Sequence, residues 1–189
     1  MIEKIAIVAD IHANKYALCK FLKYIDNEDI KCILNIGDFV QIGPNPYEVS
    51  FKVLNDIRFV NILGNNETSL FEIDETNPND EIAHRLWTRK QMKENFEKIK
   101  LMSKTKIIIK NNVKILMIHS RKNDIKGMPL IYTDGIDSFV KDYEDFGTDI
   151  VLFGHTHEKL YIEHNGKIFI NPGSLGCSKN GTIDFVILK

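Results

Sequence analysis

The sequence predicts a layered α/β fold, and the pattern of its N-terminal third carries that prediction. Residues 5–9, 32–36 and 58–63 form short apolar runs, as expected for strands that are buried on both faces. Residues 13–24 and 46–54 lie between these runs and place their apolar side chains at helical spacing. Strands and helices that alternate in this way are typical of a layered α/β sandwich.

The rest of the chain is expected to add helices and hairpins. We expect two short helices within residues 81–103, with a break near Lys90, after a polar and acidic loop at 68–80. The further elements that we expect are a hairpin of 106–109 and 113–118, a loop at 120–134, a helix at 136–143, a strand at 150–153, a hairpin of 161–163 and 167–170 around His164-Asn165-Gly166, and a last strand at 182–188. The length of 189 residues predicts one domain, residues 1–189, with a cap-like helical segment at about 80–104.

The composition excludes several classes of protein. Hydrophobic residues make up 43% and charged residues 27% of the chain, and the net charge of −1 gives no global attraction to nucleic acid or to a membrane surface. No apolar run approaches the roughly 18 residues of a membrane span, and the three cysteines include no CxxC pair. We therefore expect a cytoplasmic protein with neither a membrane nor nucleic acid as a partner. The oligomeric state stays open, with a homodimer as one alternative.

Polar side chains follow five of the predicted strands, at the sheet edge where ligands bind in layered α/β folds. The seven residues are Asp10, His12, Asp38, Asn65, His119, His155 and His157. Each motif alone is weak, because a lone Asp or Asn at a strand end is more often a turn residue. His155 and His157 are a stronger signal, since two imidazoles on one side of the chain make half of a metal site. Four of the six histidines beside two aspartates therefore predict a metal site.

The number and type of these side chains predict two cations. Seven nitrogen and oxygen ligands exceed what one tetrahedral ion takes, and without Cys they suit Mn²⁺, Fe, Zn²⁺ or Mg²⁺ better than Cu(I). Two cations about 3.5–4 Å apart are the arrangement for in-line displacement at phosphorus, and they lower the pKa of a bound water. A single structural zinc site fits poorly, because such sites are typically rich in Cys.

The ordered motifs D-x-H, GD, GN-x-[DE], a His after a strand, and GHxH resemble the calcineurin-like metallophosphoesterase superfamily over nearly the whole chain. Segments 9–18, 36–49, 86–92 and 170–176 look like its small bacterial branch of phosphodiesterase-like and diadenosine-tetraphosphatase-related proteins. The resemblance implies a four-layer αββα sandwich. It also implies hydrolysis of phosphodiester or related phosphate ester bonds by a metal-bound hydroxide, with a small phosphate ester or nucleotide as substrate. Dinucleoside polyphosphates of the Ap4A type are the alternative substrate.

The resemblance further implies which side chains hold which ion. Asp10, His12 and His157 would hold one metal, and Asn65, His119 and His155 would hold the other. Asp38 would bridge both ions. The cofactor would be two divalent metal ions, for which we expect Mn²⁺, with Fe, Zn, Ni, Co and Mg as alternatives. Asn66, Asp38 and His119 are the candidate catalytic residues.

Asn66 departs from the superfamily pattern, in which a His generally stands after the Asn and acts as general acid. An amide can donate a hydrogen bond to a phosphate oxygen but cannot deliver a proton to a leaving group. General acid catalysis is worth typically about 10²–10⁴-fold, so we expect slow turnover of substrates with poor leaving groups. A non-catalytic scaffold, as in the retromer subunit that resembles this family, is the alternative function that this departure raises.

Other polar and aromatic residues have two explanations each. Asn65, Asn66 and Arg121 are the candidates for contact with a substrate phosphate, although Arg121 equally suits a side chain that faces solvent. Residues 84–104 are basic, which favours a solvated helix face over a cap that steers polyanions. Trp87 is expected to anchor the core rather than to stack on a base. His84 and His164 are expected to be structural.

Overall fold

Strands and helices alternate along the computed structural model, which describes residues 4–76 and 78–189. The strands are β1 (Ile5–Val8), β2 (Cys32–Asn35), β3 (Phe59–Asn61), β4 (Thr105–Lys110), β5 (Val113–Ile118), β6 (Ile150–Leu152), β7 (Lys159–His164), β8 (Lys167–Pro172) and β9 (Val186–Leu188). The α-helices are α1 (Lys15–Asn27), α2 (Pro46–Asn55), α3 (Asn65–Ser69), α4 (Asp80–Met92), α5 (Asn95–Lys100) and α6 (Gly135–Asp142), and two short 3₁₀-helices span Leu130–Tyr132 and Glu144–Phe146.

The strands form two mixed sheets. The first has the order β3-β2-β1-β9, in which β1, β2 and β3 are parallel and β9 runs antiparallel beside β1. The second has the order β4-β5-β6-β8-β7, in which β5, β6 and β8 are parallel. The hairpins β4-β5 and β7-β8 complete its two sides, as the sequence predicts.

Apolar side chains fill the spaces between four layers. Phe21 of α1 and Ile33 of β2 belong to a cluster between the first helical layer and the first sheet. Ile7 and Met117 meet in a second cluster between the two sheets, and Phe139 of α6 lies in a third on the outer face of the second sheet. Each fully buried side chain of this kind contributes about 1.5–3 kcal/mol. The order of helix, sheet, sheet and helix confirms the predicted αββα sandwich.

Strand β5 shows how the layers position the residue that follows it. Ile115 and Met117 face the core between the sheets, whereas Leu116 and Ile118 face α6. Because side chains alternate along a strand, the next residue, His119, continues the row that lies between the sheets.

Several boundaries differ from the sequence-based prediction for local reasons. Helix α1 begins at Lys15 rather than at residue 13, because Ala13 has a left-handed φ of +51° and the Asn14 side chain caps the helix by accepting from the Ala17 amide at 3.1 Å. The two helices expected within 81–103 are confirmed, but the break falls at Lys93, whose φ is +52°, and not near Lys90.

The expectation that Trp87 anchors the core is wrong. Helix α4 turns Thr88 and Met92 toward the protein and leaves 40% of Trp87 exposed. Helices α4 and α5 pack against α2, beside the first sheet. Among the described residues, no helix has the length and apolar character needed to cross a membrane.

Candidate metal centre

All seven predicted ligands follow the carboxyl ends of parallel strands, and the two sheets bring these ends together. Asp10 and His12 follow β1, Asp38 follows β2, and Asn65 follows β3. From the second sheet, His119 follows β5, and His155 and His157 follow β6. Asp10, Asp38 and His119 each offer one ligand atom, and these three atoms lie within 4.8 Å of one another. The centre therefore draws on both sheets.

One group of ligand atoms consists of Asp10, His12 and His157. The two imidazole Nε2 atoms lie 2.9 Å apart, and Asp10 Oδ1 lies 3.6 Å from that of His12 and 3.4 Å from that of His157. Atoms that bind one ion at about 2.0–2.2 Å stand roughly 3–3.5 Å from each other. The spacing of the three atoms therefore suits a shared cation.

A second group consists of Asn65, His119 and His155. Asn65 Oδ1 lies 3.0 Å from His119 Nε2 and 2.7 Å from His155 Nδ1. Asp38 Oδ2 lies 3.3 Å from the same His119 nitrogen, so Asp38 stands beside this group as well as near Asp10. That placement agrees with a carboxylate that could serve both ions.

The orientation of His119 leaves one nitrogen for a ligand. The ring is buried, and its Nδ1 lies 2.7 Å from the backbone carbonyl of Ile36, to which an N–H donates. The proton held on Nδ1 directs Nε2 toward Asp38 and Asn65. A histidine that donates its other nitrogen to a carbonyl is the usual arrangement for metal ligands.

The buried carboxylates require positive charge at the centre. Burial raises the pKa of Asp10, but His12 and His157 outweigh burial and hold that pKa below its ordinary value. Burial likewise raises the pKa of Asp38, and His119 outweighs it. Burial lowers the pKa of His119, yet the Asp38 carboxylate raises it overall, to about 10. In addition, Asp10 Oδ1 has no hydrogen-bond donor among the described residues, which is costly for a buried oxygen unless a cation pairs with it.

Five of the seven residues have strained backbones. Asp10, His12, Asp38, His155 and His157 have φ values of +55°, +47°, +54°, +72° and +61°. Each such conformation costs of order 1–3 kcal/mol in a residue other than glycine and persists only where the surroundings impose it. Two glycines allow the ligand loops to approach, since a Cβ on Gly64 would lie 2.0 Å from Asp38 Oδ1 and one on Gly154 would lie 2.8 Å from Asp10 Oδ2. Strain of this kind concentrates at functional sites.

A family model for the calcineurin-like phosphoesterase superfamily domain matches residues 4–189. The chain belongs to this superfamily. It is 29% identical over 198 residues to the protein MJ0912 of Methanocaldococcus jannaschii, a match that covers 94% of this chain and 78% of that protein.

Two solved structures are similar to this chain in fold. A metallophosphoesterase from Sphaerobacter thermophilus has a TM-score of 0.75 at 22% identity, with 98% of this chain and 83% of that chain covered. The protein PH1004 from Pyrococcus horikoshii OT3 has a TM-score of 0.78 at 14% identity, with 98% and 87% covered. At these identities the likeness is one of fold.

The end of β8 and the segment that follows it support the ligand loops, a role that sequence reasoning missed. Ser174 Oγ and the Gly176 amide donate to the Asp10 carbonyl at 2.7 and 3.1 Å. The Asn171 side chain donates to the carbonyl of Gly154, next to His155, at 2.8 Å. The segment 170–176 carried a resemblance but no assigned role. Its polar residues follow an apolar strand, the same signal that identified the ligands.

Glu67 is a second supporting residue that sequence reasoning did not single out. Its buried carboxylate accepts from four backbone amides, those of Asp38 at 2.8 Å, Phe39 at 2.8 Å, Val40 at 3.0 Å and Gly64 at 2.8 Å. Burial, followed by the nearby Asp38, raises the pKa of Glu67 to about 7. Glu67 therefore joins the loop that carries Asp38 to the loop that carries Asn65.

Asn66 donates two hydrogen bonds to the carboxylate of Asp38. The Asn66 backbone amide donates to Asp38 Oδ1 at 2.8 Å, and the Asn66 side-chain amide donates to Asp38 Oδ2. Its contact with a substrate phosphate stays a prediction.

Arg121 lines a cavity of about 260 Å³ together with Lys104, Ile118 and Lys122, and none of the seven ligands lines this cavity. Lys122 forms an ion pair with Asp145. His164 lies outside the centre, 3.8 Å from Asp137. The phosphate contact proposed for Arg121 is therefore still only a sequence-based prediction.

Proposed function

We propose that the protein hydrolyses phosphodiester or related phosphate ester bonds at a centre of two divalent cations, for which Mn²⁺ is our first choice. The observation that carries this proposal is the convergence of two groups of ligand atoms beside Asp38, one at Asp10 and one at Asn65. Small phosphate esters and nucleotides are the substrates that such a centre suits.

Each of the two groups of residues would bind one of the two ions. Asp10, His12 and His157 would hold one ion, and Asn65, His119 and His155 would hold the other, with Asp38 shared between them. When bound, two such ions supply an activated water and offset the negative charge of the phosphate in the transition state.

The chain orients the ligand side chains of the centre and leaves one side of the centre open to solvent. The Ile36 carbonyl fixes the His119 ring, and Asn66 and Glu67 fix the side chain and the backbone of Asp38. His157 and Asn66 are only partly buried, so substrate would approach from their side. Because the Asn66 amide holds no transferable proton, the leaving group departs without a general acid at that position.

The test is the rate of 4-nitrophenolate release from bis(4-nitrophenyl) phosphate by purified protein with Mn²⁺. We expect turnover by the wild type, a fall to the uncatalysed rate in Asp38→Ala, and no change in Asp137→Ala, a matched control whose side chain is 95% exposed. Equal trace rates for the wild type and Asp38→Ala with Mn²⁺, Fe²⁺, Zn²⁺, Ni²⁺, Co²⁺ and Mg²⁺ would overturn the proposal.

A substrate panel separates the remaining alternatives. It compares bis-aryl and mono-aryl phosphates, cyclic nucleotides and a dinucleoside polyphosphate. A preference for the last assigns the Ap4A-type activity. The presence of Asn66 in place of the usual His is the observation behind the alternative of a non-catalytic scaffold. Such a scaffold would bind metal without turnover of any of these compounds.

A further inference from the structure

Helix α4 presents two stacked aromatic rings at the protein surface. The rings of His84 and Trp87, here called the aromatic shelf, have centroids 5.6 Å apart and planes that differ by 18°. Trp87 is the single tryptophan of the chain, and 40% of it is exposed. A Trp ring that stays partly exposed keeps a large apolar face that a ligand can cover.

The aromatic shelf is joined to the metal centre through one short loop. The Ile42 amide donates to His84 Nε2 at 3.1 Å, and the next residue, Gly43, donates its amide to the His12 carbonyl at 3.1 Å. The absence of a side chain at Gly43 allows this close approach, since a Cβ there would lie 2.2 Å from that carbonyl. The shelf therefore stands one loop away from a predicted metal ligand.

The contact with Ile42 also orients the His84 ring. The Ile42 N–H donates to Nε2, which therefore faces the loop. The ring so oriented stacks on Trp87, with planes that differ by 18°. The shelf is consequently a preoriented π-surface that one loop connects to His12.

We propose that the aromatic shelf binds the base of a nucleotide substrate whose phosphate lies at the metal centre, an inference that rests on the proposed function. Bases stack on aromatic side chains with little dependence on sequence, because every base has a π-face. The inference narrows the substrate class from phosphate esters in general to nucleoside phosphodiesters.

The first test uses Trp87 as its own reporter. Because the chain has one tryptophan, its emission reports on this ring alone. AMP added to the Mn²⁺-loaded protein is expected to quench the emission in a saturable way, whereas ribose 5-phosphate, which lacks a base, is expected to leave it unchanged. Equal responses to both compounds, or none to AMP, would refute base stacking whether or not the protein turns over any substrate.

The second test compares two diesters with the same leaving group, thymidine 5′-(4-nitrophenyl phosphate) and methyl 4-nitrophenyl phosphate. Trp87→Ala is expected to raise KM for the thymidine ester by about 5- to 150-fold, the range that loss of one base stack produces. KM and kcat for the methyl ester stay unchanged, and Trp87→Phe, which keeps a π-face, restores most of the affinity. Thermal unfolding of each variant confirms that it folds.

The outcomes separate this inference from the proposed function. Equal effects of Trp87→Ala on both esters, or no effect on either, would overturn the inference alone. A change in the mass of the protein in light scattering on Trp87→Ala would assign the ring to contact with a second copy of the chain and would also overturn it. Absence of turnover of both esters by the wild type would refute the proposed function, while the emission of Trp87 would still test the shelf.

Discussion

A proton on His119 competes with a cation for one nitrogen, and this competition predicts how metal affinity depends on pH. His119 Nε2 lies 3.3 Å from Asp38 Oδ2 and 3.0 Å from Asn65 Oδ1. In the metal-free protein the pKa of His119 is about 10, so the ring carries two protons at neutral pH. A cation must displace one of them. One displaced proton makes the affinity rise about tenfold for each pH unit below that pKa.

Calorimetric titration with Mn²⁺ measures both the affinity and the number of protons released, the latter from two buffers that differ in ionisation enthalpy. The titrations belong at alkaline pH, because Asp10 raises the pKa of His157 above its ordinary value of about 6.5 and a second proton leaves there at lower pH. We expect release of about one proton by the wild type and by the control His164→Gln. His119→Asn should bind more weakly and lose this proton release.

The raised pKa of His119 also predicts how the stability of the metal-free protein depends on pH. Because the pKa of His119 is raised in the folded protein, its contribution to the free energy of unfolding of the metal-free protein is complete below about pH 6.5, the unfolded value. The contribution is lost as pH rises toward 10, and His119→Asn should remove that loss. Mn²⁺ affinity that stays constant across the alkaline range, or wild-type binding without proton release, would contradict proton competition at His119.

Two substitutions test the supporting residues. Glu67→Gln replaces one carboxylate oxygen, which accepts hydrogen bonds from two backbone amides, with an NH₂ group that cannot accept them. We expect the free energy of unfolding, measured in urea, to fall by about 2–4 kcal/mol. A fall below about 1 kcal/mol would contradict the supporting role of Glu67. Asn66→His adds a group that can donate a proton, so kcat should rise more for phenyl than for 4-nitrophenyl esters, by at most about 10²–10⁴-fold. An unchanged ratio of the two kcat values argues against a leaving-group role at that position.

The sequence was informative wherever function depends on a strand end. Apolar runs located β1, β2 and β5, and the polar residues that follow them lie together in the structure because parallel strands end at one sheet edge. The periodicity of the sequence does not predict which distant loops form hydrogen bonds with one another. The bonds of Glu67 to the loop of Asp38 join the ends of two strands of the first sheet, and the bond of Ser174 to Asp10 joins the two sheets, so both arise only in the folded chain.

Helix α4 shows the limit of helical patterning. Its apolar positions fall on more than one face, with Trp87 on one and Met92 on another, and only docking against α2 decides which face is buried. The packing of α4 against α2 therefore leaves Trp87 exposed, although its hydrophobic character alone would have placed it in the core.

Seven side chains that hold a pair of cations should be visible in a crystal structure of the Mn²⁺-loaded protein, with anomalous scattering recorded at the manganese edge. We expect two anomalous peaks about 3.5–4 Å apart, with Asp38 in contact with both. A single peak, or peaks away from Asp10, Asn65 and Asp38, would contradict this arrangement.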